Sequence, residues 1–524
     1  MDYTKIYTPN QTPQCEKATP NQVLNNAGGY AFKVDPWTRL QRFLILGSVG
    51  GTYYASERAH TYDNVESLLE LVASDGSQVV RKLVAVSLEG RAPKNDHAIF
   101  CLALAATHGN EVTKSLAYGA IASVCRTGTH LFTFMQAVNG LRGWSRGLRR
   151  GVGAFYDDRN EDQVALQLIK YRQRNGWVHK DVLRLAHPKK HGKLFQWAVG
   201  KEVQTENALI NSFEELQKLS AGKKEDVKRA IILLKEFHLP WETLPTEFHQ
   251  VPDIWSAMLP DMPLQAMLRH LNRLTAMGLL ANNLCEHTKI VVEKLGSQEA
   301  IKKSRLHPMS ILTTLGTYAK GQGIKGDLRW VPNISVCSAL DDAFYLSFGN
   351  VTPTGKRIYK ALDVSGSMNA AISGTPLTCR SASCAMAMIS HRVEKWVEVG
   401  AFGTQMIPVT ITPKMSLVDL CRKTQSLPWQ GTDCARPILH ALQYKIPVDL
   451  FEVYTDNETW AGAIHPFQAL KKYRAEMGID AKLVVIGMTA TDFTIANPSD
   501  SGMLDVVGFD TATPEIISQF ATSV

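Results

Sequence analysis

The sequence predicts a chain in two parts: an α-solenoid of paired helices, followed by an α/β domain built on a doubly wound parallel sheet. Three observations predict it. Between about residues 60 and 330, apolar residues recur at three- and four-residue spacing, and nothing alternates as a half-buried strand would. No proline occurs between Pro93 and Pro188, which suits uninterrupted helices. Beyond Gly355 the text changes to short apolar runs separated by helix-length segments, the pattern of strands covered on both faces.

At 524 residues, with 45% hydrophobic and 20% charged residues, the chain is too long for one core and ordinary enough to be globular throughout. Its nine cysteines are scattered and contain no Cys-x-x-Cys pair, which argues against a disulfide framework or a zinc ribbon and suits a reducing compartment. The start of the sequence is polar through Asn26 and offers no apolar core for a secretory signal. No run reaches the roughly 18 apolar residues that a membrane helix needs. These features predict a cytoplasmic, monomeric protein with no membrane partner.

Residues 1–28 are rich in Thr, Gln, Asn and Pro and read as a flexible N-terminal arm. Leu40, Phe43 and Leu44 have helical spacing, and Gly47 is placed to end that helix. Helices follow at Val65–Ala73, Val79–Leu88, Ala98–Thr107, Val112–Val124, Leu131–Leu141 and Asp162–Arg174. No strict sequence period links them, so the array is a loose series of HEAT-like pairs, with a helical bundle as the competing arrangement.

In the last of these helices Gln163, Gln167, Lys170 and Arg174 fall on one face, while Val164, Leu168 and Tyr171 fall on another. The surrounding stretch from Arg142 to Lys201 holds 14 Lys and Arg against 5 Asp and Glu. From Arg357 to the end the balance is 14 against 16, so the basic surplus is local. Long donors on one helix face can follow a nucleic-acid backbone; a solvated helical surface would look similar. His187 and His191 are four apart, but Pro188 between them rules against a helical zinc pair.

The helical text ends at Val351–Gly355, which divides the chain into the arm (1–28), the helical module (29–355) and the α/β domain (356–524). Strands are expected at Ile358–Leu362, Val397–Phe402, Leu450–Thr455, Leu483–Met488 and Val506–Phe509. Helices are expected near 379–395, 416–425, 434–444, 466–477 and 513–521. The first strand runs into Asp363-x-Ser365-x-Ser367, Thr432 opens a later helix, and Asp456 ends the strand at Leu450–Thr455. Five hard oxygen donors from three loops at one sheet edge suit Mg²⁺, or Mn²⁺ or Ca²⁺, and not Zn²⁺. This set resembles the metal-ion-dependent adhesion site of von Willebrand factor A domains. The resemblance implies a binding site in which an acidic group of a partner completes the metal shell. No paired carboxylates at two-metal spacing and no nucleophile–base set occur, so no catalytic residue is assigned and an enzyme is not expected.

Longer motifs extend the resemblance from about residue 29 to the end. They are Arg42-Phe-Leu-Ile-Leu-Gly-Ser-Val-Gly-Gly-Thr-Tyr-Tyr54, Val124-Cys-Arg126-x-x-Thr-His130-Leu-Phe-Thr-Phe134 and Lys170-Tyr-x-Gln-Arg174-Asn-Gly-Trp-x-His-Lys-Asp. Together with Asp363-Val-Ser-x-Ser-Met368 and Thr455-Asp-Asn-Glu458, they make the chain similar to the Ro ribonucleoprotein autoantigen family, whose helical part is the TROVE module. The resemblance implies a ring of HEAT-like helices closed near the A domain. It implies a ribonucleoprotein that binds Y-type small non-coding RNA on its outer basic face, where Lys170, Arg174 and His187 match family positions. It implies too that single-stranded 3′ ends of misfolded non-coding RNAs enter the central hole, with RNA quality control, stability or processing as the purpose and a ribonuclease as a candidate protein partner. The competing function is a divalent-metal-dependent scaffold for protein partners.

Overall fold

A computed structural model describes residues 11–46, 57–92, 94–141, 143–304, 306, 308–323, 327–347, 353–370, 377–412, 415–428, 431–489, 491–507 and 513–522. The expected helix end at Gly47, the first ten residues of the arm and part of the Val351–Gly355 boundary lie outside them.

The helical part opens with Pro36–Leu46, Glu57–Glu89, Asp96–His108, Glu111–Val124, Gly128–Leu141, Arg146–Asp157 and Glu161–Lys170. The expected segments Val65–Ala73 and Val79–Leu88 are two halves of one helix, broken at Asp75 (φ −146°, ψ 65°). Short polar residues set the starts. The Asn110 side chain accepts from Thr113 N–H, and Asn160 forms a capping box with Gln163. Inward stripes such as Ile99, Leu102, Leu131 and Phe134 are fully buried between successive helices. One core runs from Leu40 to Ile254. A second begins at Trp255 and continues through the last helices into the α/β domain. Neighbour-on-neighbour packing of this kind is that of a solenoid and not of a bundle.

Eleven strands are named in chain order: β1 (Gln22–Leu24), β2 (Tyr30–Lys33), β3 (Gln173–Arg174), β4 (Trp177–Val178), β5 (Arg357–Asp363), β6 (Trp396–Phe402), β7 (Met406–Pro408), β8 (Leu450–Thr455), β9 (Lys482–Gly487), β10 (Phe493–Thr494) and β11 (Met503–Val507). The main sheet has the order β11-β9-β8-β5-β6-β7, parallel except for β7. The first four expected strands are present; the fifth, expected at Val506–Phe509, begins earlier, at Met503, and its residues 508 and 509 lie outside the described residues. Helices Cys379–Val393 and Leu417–Gln425 bury one side, and Arg436–Gln443 and Pro466–Met477 bury the other. β5 and β8 are central, so Asp363 and Asp456, at or just past their C-terminal ends, come side by side.

Two expectations need correction. Residues 11–28 are not a loose arm. β1 pairs with β2, and β2 pairs with β10, some 460 residues later in the chain. Gln14 is completely buried, donating to Asp433 Oδ1 (2.7 Å) and to the Ile464 carbonyl (2.8 Å). The polar composition that suggests disorder here supplies side chains for a buried hydrogen-bond network.

The predicted helix Asp162–Arg174 also stops early, at Lys170. Gln173–Arg174 and Trp177–Val178 form a two-residue hairpin around Asn175 (φ 51°) and Gly176 (φ 79°). Asn-Gly is the preferred pair for a turn with two left-handed residues, and here it overrides the helical spacing.

The helical array returns to its start. Pro36–Leu46 packs on β11 through Arg42, which is buried. Its guanidinium donates twice to Asp505, at 2.7 and 2.6 Å, and to the carbonyls of Thr491 (2.7 Å) and Phe493 (3.0 Å). At the other end Tyr345 reaches Met388 Sδ, and Glu394 accepts from the Thr354 N–H (2.7 Å). Both ends of the solenoid are thus held by the same α/β domain, which closes the ring.

Candidate nucleic-acid face and metal centre

Gln167, Lys170, Arg174 and His187 lie on a helix, a hairpin and the end of the following helix, His179–Ala186. His179 ties these pieces together. Its Nε2–H donates to the Gln167 carbonyl (3.0 Å), so its Nδ1 accepts from the Tyr156 hydroxyl (2.7 Å). Burial lowers the His179 pKa to about 4, so the ring is neutral and both nitrogens are satisfied. Gly128 lies against it: a Cβ there would come within 2.8 Å of Tyr171 Cβ and 3.0 Å of His179 Nε2. Nothing local in the sequence singles out His179, because its role depends on Tyr156, 23 residues earlier.

Arg174 and His187 are exposed, and His187 caps its helix in the left-handed region (φ 48°, ψ 52°). Lys170 is half-buried rather than exposed. Its ammonium is 3.8 Å from Glu242 and lies over the Tyr171 ring, 5.3 Å from its centre. Gln167 uses its Oε1 to accept from the Gly128 N–H (2.8 Å), which leaves its amide NH₂ for the surface. Both Gln163 and Gln167 line a shallow cleft with Asp158, Arg159, Ala122 and Leu166.

The helix Arg146–Asp157 packs on His179–Ala186 and adds exposed Arg146, Arg149 and Arg150 to Arg174 and Arg184. Among the described residues none of these five guanidinium groups is in an ion pair. Trp144 meets Trp177 edge-on at 6.1 Å, and the Trp177 indole donates to Gln136 (3.3 Å), which braces the hairpin. The face is therefore a rigid platform with unneutralised positive charge.

The five predicted metal donors are buried at one sheet edge. Asp363 Oδ1 accepts from the Ser365 N–H (2.8 Å), and Oδ2 accepts from the Thr455 hydroxyl (2.7 Å). The Ser365 and Ser367 hydroxyls are 3.0 Å apart, and Ser367 bonds the Asp456 carboxyl. The Thr432 carbonyl accepts from the Trp460 and Ala461 N–H groups (3.0 Å each), which fixes the third loop against the second. Asp456 Oδ2 is buried with no hydrogen-bond partner. Burial raises both carboxyl pKa values, Asp456 to about 7 with the Asp363 charge as second cause. Two converging carboxylates, two hydroxyls and an unmet buried oxygen fit a hard divalent cation. Arg380, which the sequence reading missed, holds the loop from behind by donating to the Val364 (3.0 Å) and Ser365 (3.1 Å) carbonyls.

Comparison with known proteins agrees with this architecture. The TROVE domain model matches residues 23–238 and 236–316, and the Ro60 vWA domain model matches 357–521. The chain belongs to the Ro60 family. It is 40% identical, over 99% of its length and 98% of the relative's, to "RNA-binding protein RO60" of Deinococcus radiodurans. It is 35% identical to the Caenorhabditis elegans protein of the same description, over 97% of this chain and 91% of the relative. The crystal structure of the Deinococcus Ro (RSR) protein superposes with a TM-score of 0.71, covering 93% of this chain and 99% of that one. Ro60-type architecture thus spans both the solenoid and the vWA domain. Among the described residues no helix is long and apolar enough to cross a membrane.

Proposed function

We propose that this protein is a non-enzymatic, cytoplasmic RNA-binding protein that holds a structured small RNA of the Y type on the face carrying Gln167, Lys170, Arg174 and His187. The observation that carries the reading is the cluster of unpaired, exposed arginines on a rigid platform, in a chain whose full-length relatives are described as RNA-binding proteins. Lys and Arg contacts to phosphates position the RNA, and helical shape selects it. Single-stranded 3′ ends of misfolded RNAs enter the ring, in the service of RNA quality control. The five oxygen donors hold Mg²⁺, and an acidic group of a protein partner, such as a ribonuclease, completes its shell.

The test is an RNA-binding titration of Lys170→Ala with Arg174→Ala over a range of salt. The double variant is expected to bind a structured RNA roughly tenfold or more weakly and to lower the salt slope by about one unit per lost phosphate contact. Arg174 contributes more, because Lys170 already has Glu242 as a partner. Parent-like affinity and slope in the double variant would remove this face from the site.

A further inference from the structure

On the far side of the α/β domain from its paired edge strand β11, an open cleft of about 550 Å³ lies between β7 and the helix Arg436–Gln443. It is lined by Gln405, Met406, Pro408, Arg436, His440, Gln443 and Tyr444, none of which belongs to the metal site or the basic helical face. The volume suits a ligand of nucleotide size.

The lining groups are of three kinds. Arg436 supplies positive charge to the cleft: its Nε is buried without an acceptor, and among the described residues it is in no ion pair, its charge reaching the Asp433 carboxyl only through space. The nearest carboxylate in sequence, Asp433, is already occupied by the Gln14 amide (2.7 Å) and the Ala435 N–H (3.0 Å). Tyr444 presents a flat ring that is 63% exposed, beside the His440 ring at 4.7 Å. His440 is held in place by the Tyr359 hydroxyl (3.0 Å). Gln405 and Gln443 are exposed, and among the described residues their side-chain amides make no hydrogen bond within the fold.

We propose that this cleft binds a nucleoside monophosphate unit, with the phosphate on Arg436, the base against Tyr444 and the base edge read by Gln405 and Gln443. A guanidinium is the preferred partner of a phosphate, exposed aromatic rings are stacking platforms for bases, and amides both donate to and accept from base edges. An acidic peptide would use the arginine but not the ring and the two amides. The unit is a free nucleotide or the phosphorylated terminus of an RNA, since the chemistry is the same.

The test is calorimetric titration of the full chain with AMP, GMP, CMP and UMP. Ribose 5-phosphate and inorganic phosphate serve as controls, in EDTA so that no metal-bridged phosphate contributes. At least one nucleotide is expected to bind one to one and about tenfold or more tighter than ribose 5-phosphate. Tyr444→Ala, at an exposed position that folding does not depend on, is expected to abolish that advantage, and Arg436→Gln to weaken every phosphate-bearing ligand roughly tenfold or more. Lys170→Ala with Arg174→Ala leaves nucleotide binding unchanged, which separates this cleft from the helical face. Displacement of the nucleotide by a 5′-phosphorylated trinucleotide, but not by its 5′-hydroxyl form, assigns the cleft to RNA ends; no displacement assigns it to free nucleotides. Nucleotides that bind no better than inorganic phosphate, or that bind Tyr444→Ala as tightly as the parent, would overturn the proposal.

Discussion

Arg42→Ala is expected to destabilise the closed ring by about 3–5 kcal/mol, the usual result of removing one partner from a buried ion pair. Arg42 is fully buried, and its guanidinium bridges the first helix to Asp505, Thr491 and Phe493 of the vWA domain. The variant leaves the Asp505 carboxylate in a site whose burial already pushes its pKa up, and takes the Arg42 donor from the Thr491 carbonyl, while the Phe493 carbonyl keeps the Thr491 hydroxyl (3.3 Å). A change of Arg42→Met with Asp505→Leu removes both charges and is expected to restore much of the loss. Limited proteolysis within Pro36–Leu46 would report opening directly. Parent-like resistance in Arg42→Ala would mean that β2–β10 pairing alone holds the ring shut.

Asp363→Asn is expected to abolish the thermal shift that Mg²⁺ gives the parent, with a loss of metal affinity beyond roughly 100-fold, the upper end for outer-shell losses. The amide preserves the shape and can still accept from Ser365 N–H, while it removes one of two like charges beside Asp456. Metal-free stability is therefore expected to change little, and RNA binding not at all. The parent has a pH signature as well. Asp456 titrates at about 7 without metal, and the cation needs it ionised. Apparent Mg²⁺ affinity is thus expected to fall as pH drops below 7, by about tenfold per unit. The same raised pKa means that Asp456 binds a proton more readily folded than unfolded. Its contribution to metal-free stability is full below the unfolded carboxyl pKa and is lost as pH rises through about 7. Asp456→Asn should remove that dependence. An equal Mg²⁺ shift in Asp363→Asn and parent would reject the metal assignment.

Local order was readable where local chemistry decides it. β8 matches its expected bounds, and the Asp-x-Ser-x-Ser loop lies where a strand feeding a sheet edge must put it. Failures came where a distant partner decides. Residues 1–28 look like a tail because β1 rests on β2, and β10, which accepts β2, is in another part of the chain. Arg174 was read as helical because the four-three-four spacing of its neighbours outweighed Asn175-Gly176. Arg42 enters the sequence reading only as the first residue of a motif, and only the closed ring shows it to be buried. Lys170 looked free because Glu242, its partner, is 72 residues away.

The central claim, an RNA-binding ring with a basic outer face, is tested most directly by a gel-shift titration with a structured small RNA. The RNA is used with and without a single-stranded 3′ tail, at two salt concentrations. Tight binding that weakens steeply with salt and improves with the tail is the expected result. Binding to neither RNA, or binding indifferent to salt, would contradict the account and leave the metal-dependent protein scaffold as the reading of this chain.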